Sequence, residues 1–266
     1  MEYLNYKNTK INYEVYGKRE NPAVLLLHGY LESLKIWEHF VPLLSDQYFV
    51  VAMDIPGHGK SGIFSIVHRM DDLAEAAFHV LQNIGVTRAH VIGHSMGGYV
   101  ALAFRESHYS VMRSCVLFHS TCLSDTPEKR MNRTREIELV REGKKDLIVK
   151  VNIPRAFADD NLEDLSGKVK WAQEIAMENA DEGIISLLNG MKERPDRSAL
   201  LKDDIIPYLL IAGKKDNYIP FEAARCIPNL GSNISFSVLE NSGHMGFVEE
   251  PDRSAQILKE FFRKSN

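Results

Sequence analysis

Residues 89–98 read Ala89-His90-Val91-Ile92-Gly93-His94-Ser95-Met96-Gly97-Gly98. A short, mostly apolar run of strand length stops at a glycine, a serine follows two residues later, and a helical pattern begins near Gly97. A GxSxG segment between a strand and a helix suits a nucleophile held on a sharp turn, because the flanking glycines let the backbone bend without side-chain clash. Ser95 is then expected at the carboxyl end of its strand. The Met96 amide and the helix N-terminus would face the negative charge that develops when its oxygen attacks a carbonyl. A bare GxSxG also occurs as a glycine-rich turn with an idle serine. The strand before it and the helix after it favour the nucleophile here.

Working outward, apolar runs of strand length recur at 23–27, 49–53, 115–118, 206–212 and 234–239, bounded by Gly, Pro, Asn or Asp. With 89–92 they are mostly continuous, as expected of strands buried on both faces of a parallel sheet. Residues 11–16 alternate and end at Gly17, which predicts a half-buried antiparallel edge strand. Helical patterns lie between the runs. Residues 71–84 put Leu73, Ala76, Ala77, Val80, Leu81 and Ile84 on one side, and 252–263 follow Pro251. Alternating strands and helices predict an α/β fold with a doubly wound, mostly parallel sheet. The rhythm breaks at 124–203, where charge and helical stretches at 134–150, 162–179 and 181–192 replace strands. Residues 1–123 and 204–266 are therefore read as one core, with 124–203 as an inserted helical cap.

The 266 residues carry 32 Lys and Arg against 36 Asp and Glu, a formal charge of −4 that offers no long-range attraction to nucleic acid or anionic lipid. No apolar run near the N-terminus approaches the roughly 20 residues that cross a bilayer. Residues 1–20 lack the pattern of a secretory signal, so no membrane association and a cytoplasmic location are expected. Cys115, Cys122 and Cys226 have neither CxxC nor metal-ligand spacing, and no HExxH, phosphate loop or GxGxxG after a strand is present. No metal and no nucleotide cofactor are expected.

With the serine turn in its strand-helix setting, the chain resembles the α/β-hydrolase superfamily, from about residue 23 to 251. His28-Gly29-Tyr30-Leu31 is similar to that family's HG oxyanion loop, and the resemblance implies the Tyr30 N–H as the second oxyanion donor beside Met96. His28 is read as a structural histidine holding this loop. Asp54-Ile55-Pro56-Gly57-His58-Gly59-Lys60-Ser61 is similar to the family's DxPGHGxS turn and is read as shaping a loop. His244, in the loop between the last strand and the last helix, stands where the family carries its catalytic histidine. Asp216, three residues beyond Gly213, matches the position of the orienting acid, which gives the chain order Ser95, Asp216, His244 typical of the fold. Asp125, just past strand 115–118, is the alternative acid, because some branches place the carboxylate there. Asp203 and Asp204 precede a strand and fall at its wrong end. His94, next to the nucleophile, is expected to point away from it, and His119 to end a strand near the site.

A serine is a weak nucleophile without a base in hydrogen-bond reach and a group that orients the base. The resemblance implies a cofactor-free serine hydrolase acting on a small-molecule acyl ester, thioester or lactone. Epoxide and carbon-halogen hydrolysis are disfavoured, since those branches use an aspartate where Ser95 stands. Amide or carbon-carbon bond hydrolysis, perhydrolysis, and a non-enzymatic ligand receptor on the same fold stay compatible with these motifs. Phe157, Trp171 and Met177 of the cap are candidate substrate contacts beside their role in packing. The basic run Arg130, Arg133, Arg135 either meets an acidic substrate or forms a solvated helix face.

Overall fold

The computed structural model describes residues 2–202 and 205–265. Asp203 and Asp204, and with them the expected boundary between insertion and core, lie outside the described residues. The chain begins with β1 (Glu2–Tyr6), β2 (Thr9–Tyr16), β3 (Ala23–Leu27) and β4 (Phe49–Met53), then continues through α1 (Met70–Asn83), β5 (Ala89–His94), α2 (Met96–Ser107) and β6 (Met112–Phe118). Four helices follow: α3 (Pro127–Arg141), α4 (Lys145–Arg155), α5 (Ser166–Glu178) and α6 (Asp181–Glu193). The chain then returns to the sheet with β7 (Tyr208–Gly213), α7 (Phe221–Ala224), β8 (Ile234–Leu239), α8 (Gly246–Glu249) and α9 (Pro251–Lys264).

The strands form one sheet in the order β1-β2-β4-β3-β5-β6-β7-β8, antiparallel where β2 joins β1 and β4 and parallel from β4 through β8. Every residue of β3, β4, β5 and β7 is buried, which accounts for their mostly apolar sequence. Helix α9 lays Ala255, Leu258, Phe261 and Phe262 against the core; burial of a side chain such as Phe262 or Leu258, both fully inaccessible, contributes about 1.5–3 kcal/mol. No helix among the described residues is long and apolar enough to cross a membrane.

Three elements differ from their sequence reading. Strand β1 was unread; it pairs with β2 through a tight turn at Lys7 and Asn8, both at positive φ, without the Asn-Gly signature that usually marks such a hairpin. Strand β8 is half-buried, because it closes the sheet edge and pairs only with β7. Its alternation of Ile234, Phe236 and Val238 with Ser235 and Ser237 is the period-two pattern of such an edge. The helix expected over 134–150 is two helices. Helix α3 opens earlier, where the Thr126 hydroxyl accepts from the Lys129 N–H at 3.2 Å and Pro127 occupies the first turn. It ends at Gly143, whose φ of 71° permits the Schellman pair Gly143 N–H to Val140 O and Lys144 N–H to Leu139 O, both 2.9 Å.

Topology sets the place of the site. The chain runs from β3 outward to β4 and then back across to β5 on the other side of β3, and ligands in open α/β sheets bind at the carboxyl ends of strands beside such a reversal. Tyr30 follows β3, Ser95 β5, His119 β6, Asp216 β7 and His244 β8, so parallel strands bring five distant residues to one rim.

Candidate active site

Ser95 has φ 49° and ψ −111°, a conformation that a residue with a side chain adopts only when its surroundings enforce it. Three bonds enforce it here. Its N–H donates to Phe118 O at 3.0 Å, and its carbonyl accepts from the Gly98 N–H at 3.0 Å and from the Ser120 hydroxyl at 2.7 Å. The glycines are required by space. A Cβ on Gly93 would lie 2.2 Å from Gly97 O, and one on Gly97 would lie 2.1 Å from Leu27 O, so α2 reaches this close to β3 only without side chains.

His244 Nδ1 lies 2.8 Å from Asp216 Oδ2. The other Asp216 oxygen accepts from the Tyr218 N–H at 2.7 Å and the Ile219 N–H at 2.9 Å, which fixes the carboxylate. Burial alone raises the Asp216 carboxyl, but the imidazoles of His244 and His119 outweigh it and hold the group far below the usual carboxylate range. Asp216 is therefore an anion, able to accept the Nδ1 proton and leave Nε2 of His244 as the basic nitrogen. The His244 loop is tied down by Glu249, whose carboxylate accepts from the N–H groups of Gly243 (2.8 Å), Met245 (3.2 Å) and Ala158 (2.8 Å).

Ser95 and His244 both line a cavity of about 260 Å³ that is also walled by Tyr30, Leu31, Ile153, Phe157, Met191 and Ile219. Among the described residues, neither the Tyr30 N–H nor the Met96 N–H donates a hydrogen bond within the protein. Tyr30 lines the cavity; Met96 adjoins Ser95 as the first residue of α2 and is itself buried. The loop that carries Tyr30 is clasped by two histidines. Nε2 of His28 accepts from the Ile55 N–H at 2.9 Å, Nε2 of His58 accepts from the Leu31 N–H at 3.0 Å, and each Nδ1 faces a neighbouring carbonyl at 2.8 Å. Asp54 binds the N–H groups of Leu34 and Lys60, so that turn shapes the loop.

The remaining candidates divide. Asp125 is bonded to Arg133 (2.5 Å) and paired with Arg194 (2.7 Å), not with a histidine. Phe157 lines the cavity. Trp171 and Met177 do not: Trp171 is half-buried beside His39 and Lys168, and Met177 is 42% exposed. Helix α5 turns Ala172, not these two, to the cavity, a rotation that its weakly amphipathic sequence did not reveal. Of the basic run, Arg133 lines the cavity while Arg130 and Arg135 are exposed.

Two histidines do more than sequence reading assigned. His94 does not point away from the site: it lines the cavity, and its Nδ1 lies 3.0 Å from Glu32 while its Nε2 lies 2.9 Å from His244 O. Two acceptors around one ring call for an imidazolium; burial opposes that charge, and the Glu32 carboxylate prevails and raises the His94 pKa. His119, buried, has Nδ1 3.1 Å from the Gly213 N–H and 3.5 Å from Asp216, and Nε2 3.1 Å from the Gly246 N–H, so backbone N–H groups hold the ring behind the acid. Among the described residues, His119, Asp216 and His244 also form the one group whose donor atoms lie close enough for a metal, all within 4.8 Å. Those atoms are engaged with one another and with backbone N–H groups.

These buried rings predict acid sensitivity. Burial lowers His58 to about 3 and His68 and His119 to about 4, and it lowers His28 as well, from an ordinary 6.5. A lowered folded-state histidine leaves the unfolded chain binding more protons below 6.5, so its stabilisation is complete above that pH and is lost as pH falls toward the folded value. Urea unfolding at pH 7, 6 and 5 should show stability falling with an uptake of up to roughly four protons. A pH-independent midpoint across that window would contradict the neutral, buried assignment.

A family model described as the alpha/beta hydrolase fold matches residues 22–251. The chain belongs to that family. This α/β hydrolase is 28% identical over 259 residues to the dihydrolipoyllysine-residue acetyltransferase component of the acetoin cleaving system of Pseudomonas putida, covering 95% of this chain and 66% of that protein. The chain thus spans just under two thirds of that relative. It is 24% identical to 3-oxoadipate enol-lactonase 2 of Acinetobacter baylyi, over 99% of this chain and 97% of that one. Among solved structures, a malate-bound thermophilic esterase from Thermogutta terrifontis superposes with a TM-score of 0.92 at 27% identity, covering 97% and 94% of the two chains. Membership in that family, with an enol-lactonase and an esterase among the proteins it resembles, supports a hydrolase.

Proposed function

We propose that this α/β hydrolase cleaves a carboxylic ester, thioester or lactone through an acyl-enzyme on Ser95, His244 and Asp216. The observation that carries the reading is the 2.8 Å contact of His244 Nδ1 with an ionised Asp216, in a cavity that His244 shares with the strained Ser95. Nε2 of His244 takes the Ser95 proton as Oγ attacks the acyl carbon. The Tyr30 and Met96 N–H groups receive the oxyanion. The imidazolium, steadied by Asp216, passes that proton to the leaving alcohol or thiol as the acyl-oxygen or acyl-sulfur bond breaks. Water then gives a proton to His244 and its oxygen to the acyl carbon; the acyl–Oγ bond breaks, the imidazolium returns its proton to Ser95 Oγ, and the acid departs. Charge and protons close on these residues and water, so the sequence of steps calls on no cofactor.

The segment 124–203 serves in this reading as the cap that selects the acyl group, since α3, α4, α5 and α6 all contribute to the cavity wall and Phe157 follows α4. The kinship with an esterase and an enol-lactonase supports this reaction class. A panel of p-nitrophenyl esters, acyl thioesters, lactones and anilides tests it. Turnover concentrated in the first three classes is expected; turnover of anilides alone, or of nothing in the panel, would overturn the ester assignment.

A further inference from the structure

The first turns of α3 bring a polar face to the cavity. Lys129, Asn132, Arg133 and Glu136 all line it, at the i, i+3, i+4, i+7 spacing of one helix face. The only buried residues of this helix, Ile137 and Val140, come later. Arg155, from the end of α4, joins the same wall, with Nη2 3.3 Å from Asn217 O and its guanidinium 5.2 Å from the Tyr218 ring. A wall that received only a neutral acyl chain would be apolar, because unanswered polar groups beside a dry ligand cost free energy.

The charges here are not balanced. Asp125 answers two guanidiniums, Arg133 and Arg194, with one negative charge. Glu136 accepts from Asn152 at 3.0 Å, and the Lys129 ammonium has no partner among the described residues. Three cations, Lys129, Arg133 and Arg155, thus share this wall with one carboxylate, Glu136, although the chain as a whole carries −4. A local positive field in a concave site concentrates anions. The cavity also holds the buried Tyr30 hydroxyl, beside the Glu136 carboxylate.

We propose that Lys129, Arg133 and Arg155 form a subsite for an anionic group of the substrate, a carboxylate or a phosphate, remote from the bond that Ser95 attacks. The position of that bond rests on the serine-hydrolase reading; the anion rests on the cavity wall alone. Arg133 is pre-oriented by Asp125, whereas Lys129 and Arg155 reach in from the exposed rim.

Two matched pairs separate the sources of the anion. p-Nitrophenyl hydrogen glutarate against p-nitrophenyl pentanoate places a carboxylate on the acyl side; butyryl-coenzyme A against butyryl-N-acetylcysteamine places phosphate on the leaving group. In one pair kcat/KM should favour the anionic member by about tenfold at low salt, less at high salt. The preference should collapse in K129A/R155A, survive in K129R, and survive in R130A/R135A, which removes as much charge from the same helix outside the cavity. No preference in either pair, or a preference that persists in K129A/R155A, overturns the subsite. Calorimetric titration with glutarate, pentanoate and inorganic phosphate reads the subsite without turnover. Glutarate or phosphate should bind at least about tenfold more tightly than pentanoate, an advantage lost in K129A/R155A, and equal binding overturns the proposal. If no ester or thioester is cleaved while the anion still binds, the hydrolase chemistry fails and the subsite stands.

Discussion

Replacing Ser95 by alanine should abolish turnover, with a loss of about five to six orders of magnitude in kcat, while circular dichroism and the urea midpoint stay close to those of the parent chain. The expected size follows from the role. Without Oγ no acyl-enzyme forms, and His244, the free N–H groups of Tyr30 and Met96, and the cavity can supply only the residual rate of positioned water. The fold should tolerate the change because the bonds that hold this turn use the Ser95 backbone, not its side chain. Undiminished hydrolysis in this variant would remove Ser95 from the mechanism.

Asp216→Asn should cut kcat by up to roughly ten-thousand-fold, since an amide can present its NH2 to Nδ1 and hold the imidazole in the tautomer that cannot take the serine proton. The carboxylate it replaces is pinned by two backbone N–H groups and touched by both His244 and His119. Asp125→Asn should act elsewhere. It strips the half-buried Arg133 and the buried Arg194 of their shared, buried counterion, a change of about 3–5 kcal/mol in stability, with a loss in kcat far smaller than that of Asp216→Asn. Urea unfolding beside steady-state rates separates the two. If Asp125→Asn is the variant that silences the enzyme while Asp216→Asn does not, the acid has been misassigned.

The parts of this protein that were legible in its sequence are those whose cause is local. The turn at Ser95 announces itself because a backbone at positive φ, a helix packed against β3 and a strand end each demand a residue type at a fixed offset. Asp216 and His244 were singled out by the family resemblance; both follow strand ends, and parallel strands carry such residues to one rim. What depends on how distant faces meet was not. Nothing in α5 alone says that Ala172 faces the cavity while Trp171 and Met177 face out, because its apolar residues do not define one narrow stripe. His94 looked like a bystander since neighbours along a strand point to opposite sides; the left-handed turn at Ser95 breaks that alternation, and Glu32 holds the ring beneath His244. Nothing local marks the role of Glu249, since its three backbone partners include Ala158, 91 residues away. Strand β1 went unread because it is a short edge strand with no buried residue, so its sequence carries no apolar run.

The most direct test of the account is intact-mass and peptide mass spectrometry after treatment with a fluorophosphonate, which reacts with a serine only where a base and oxyanion donors activate it. One adduct per chain is predicted, on the peptide containing Ser95, absent from Ser95→Ala and slowed in Asp216→Asn. An unlabelled parent protein, or an adduct on another residue that persists in Ser95→Ala, would contradict the assignment of this site.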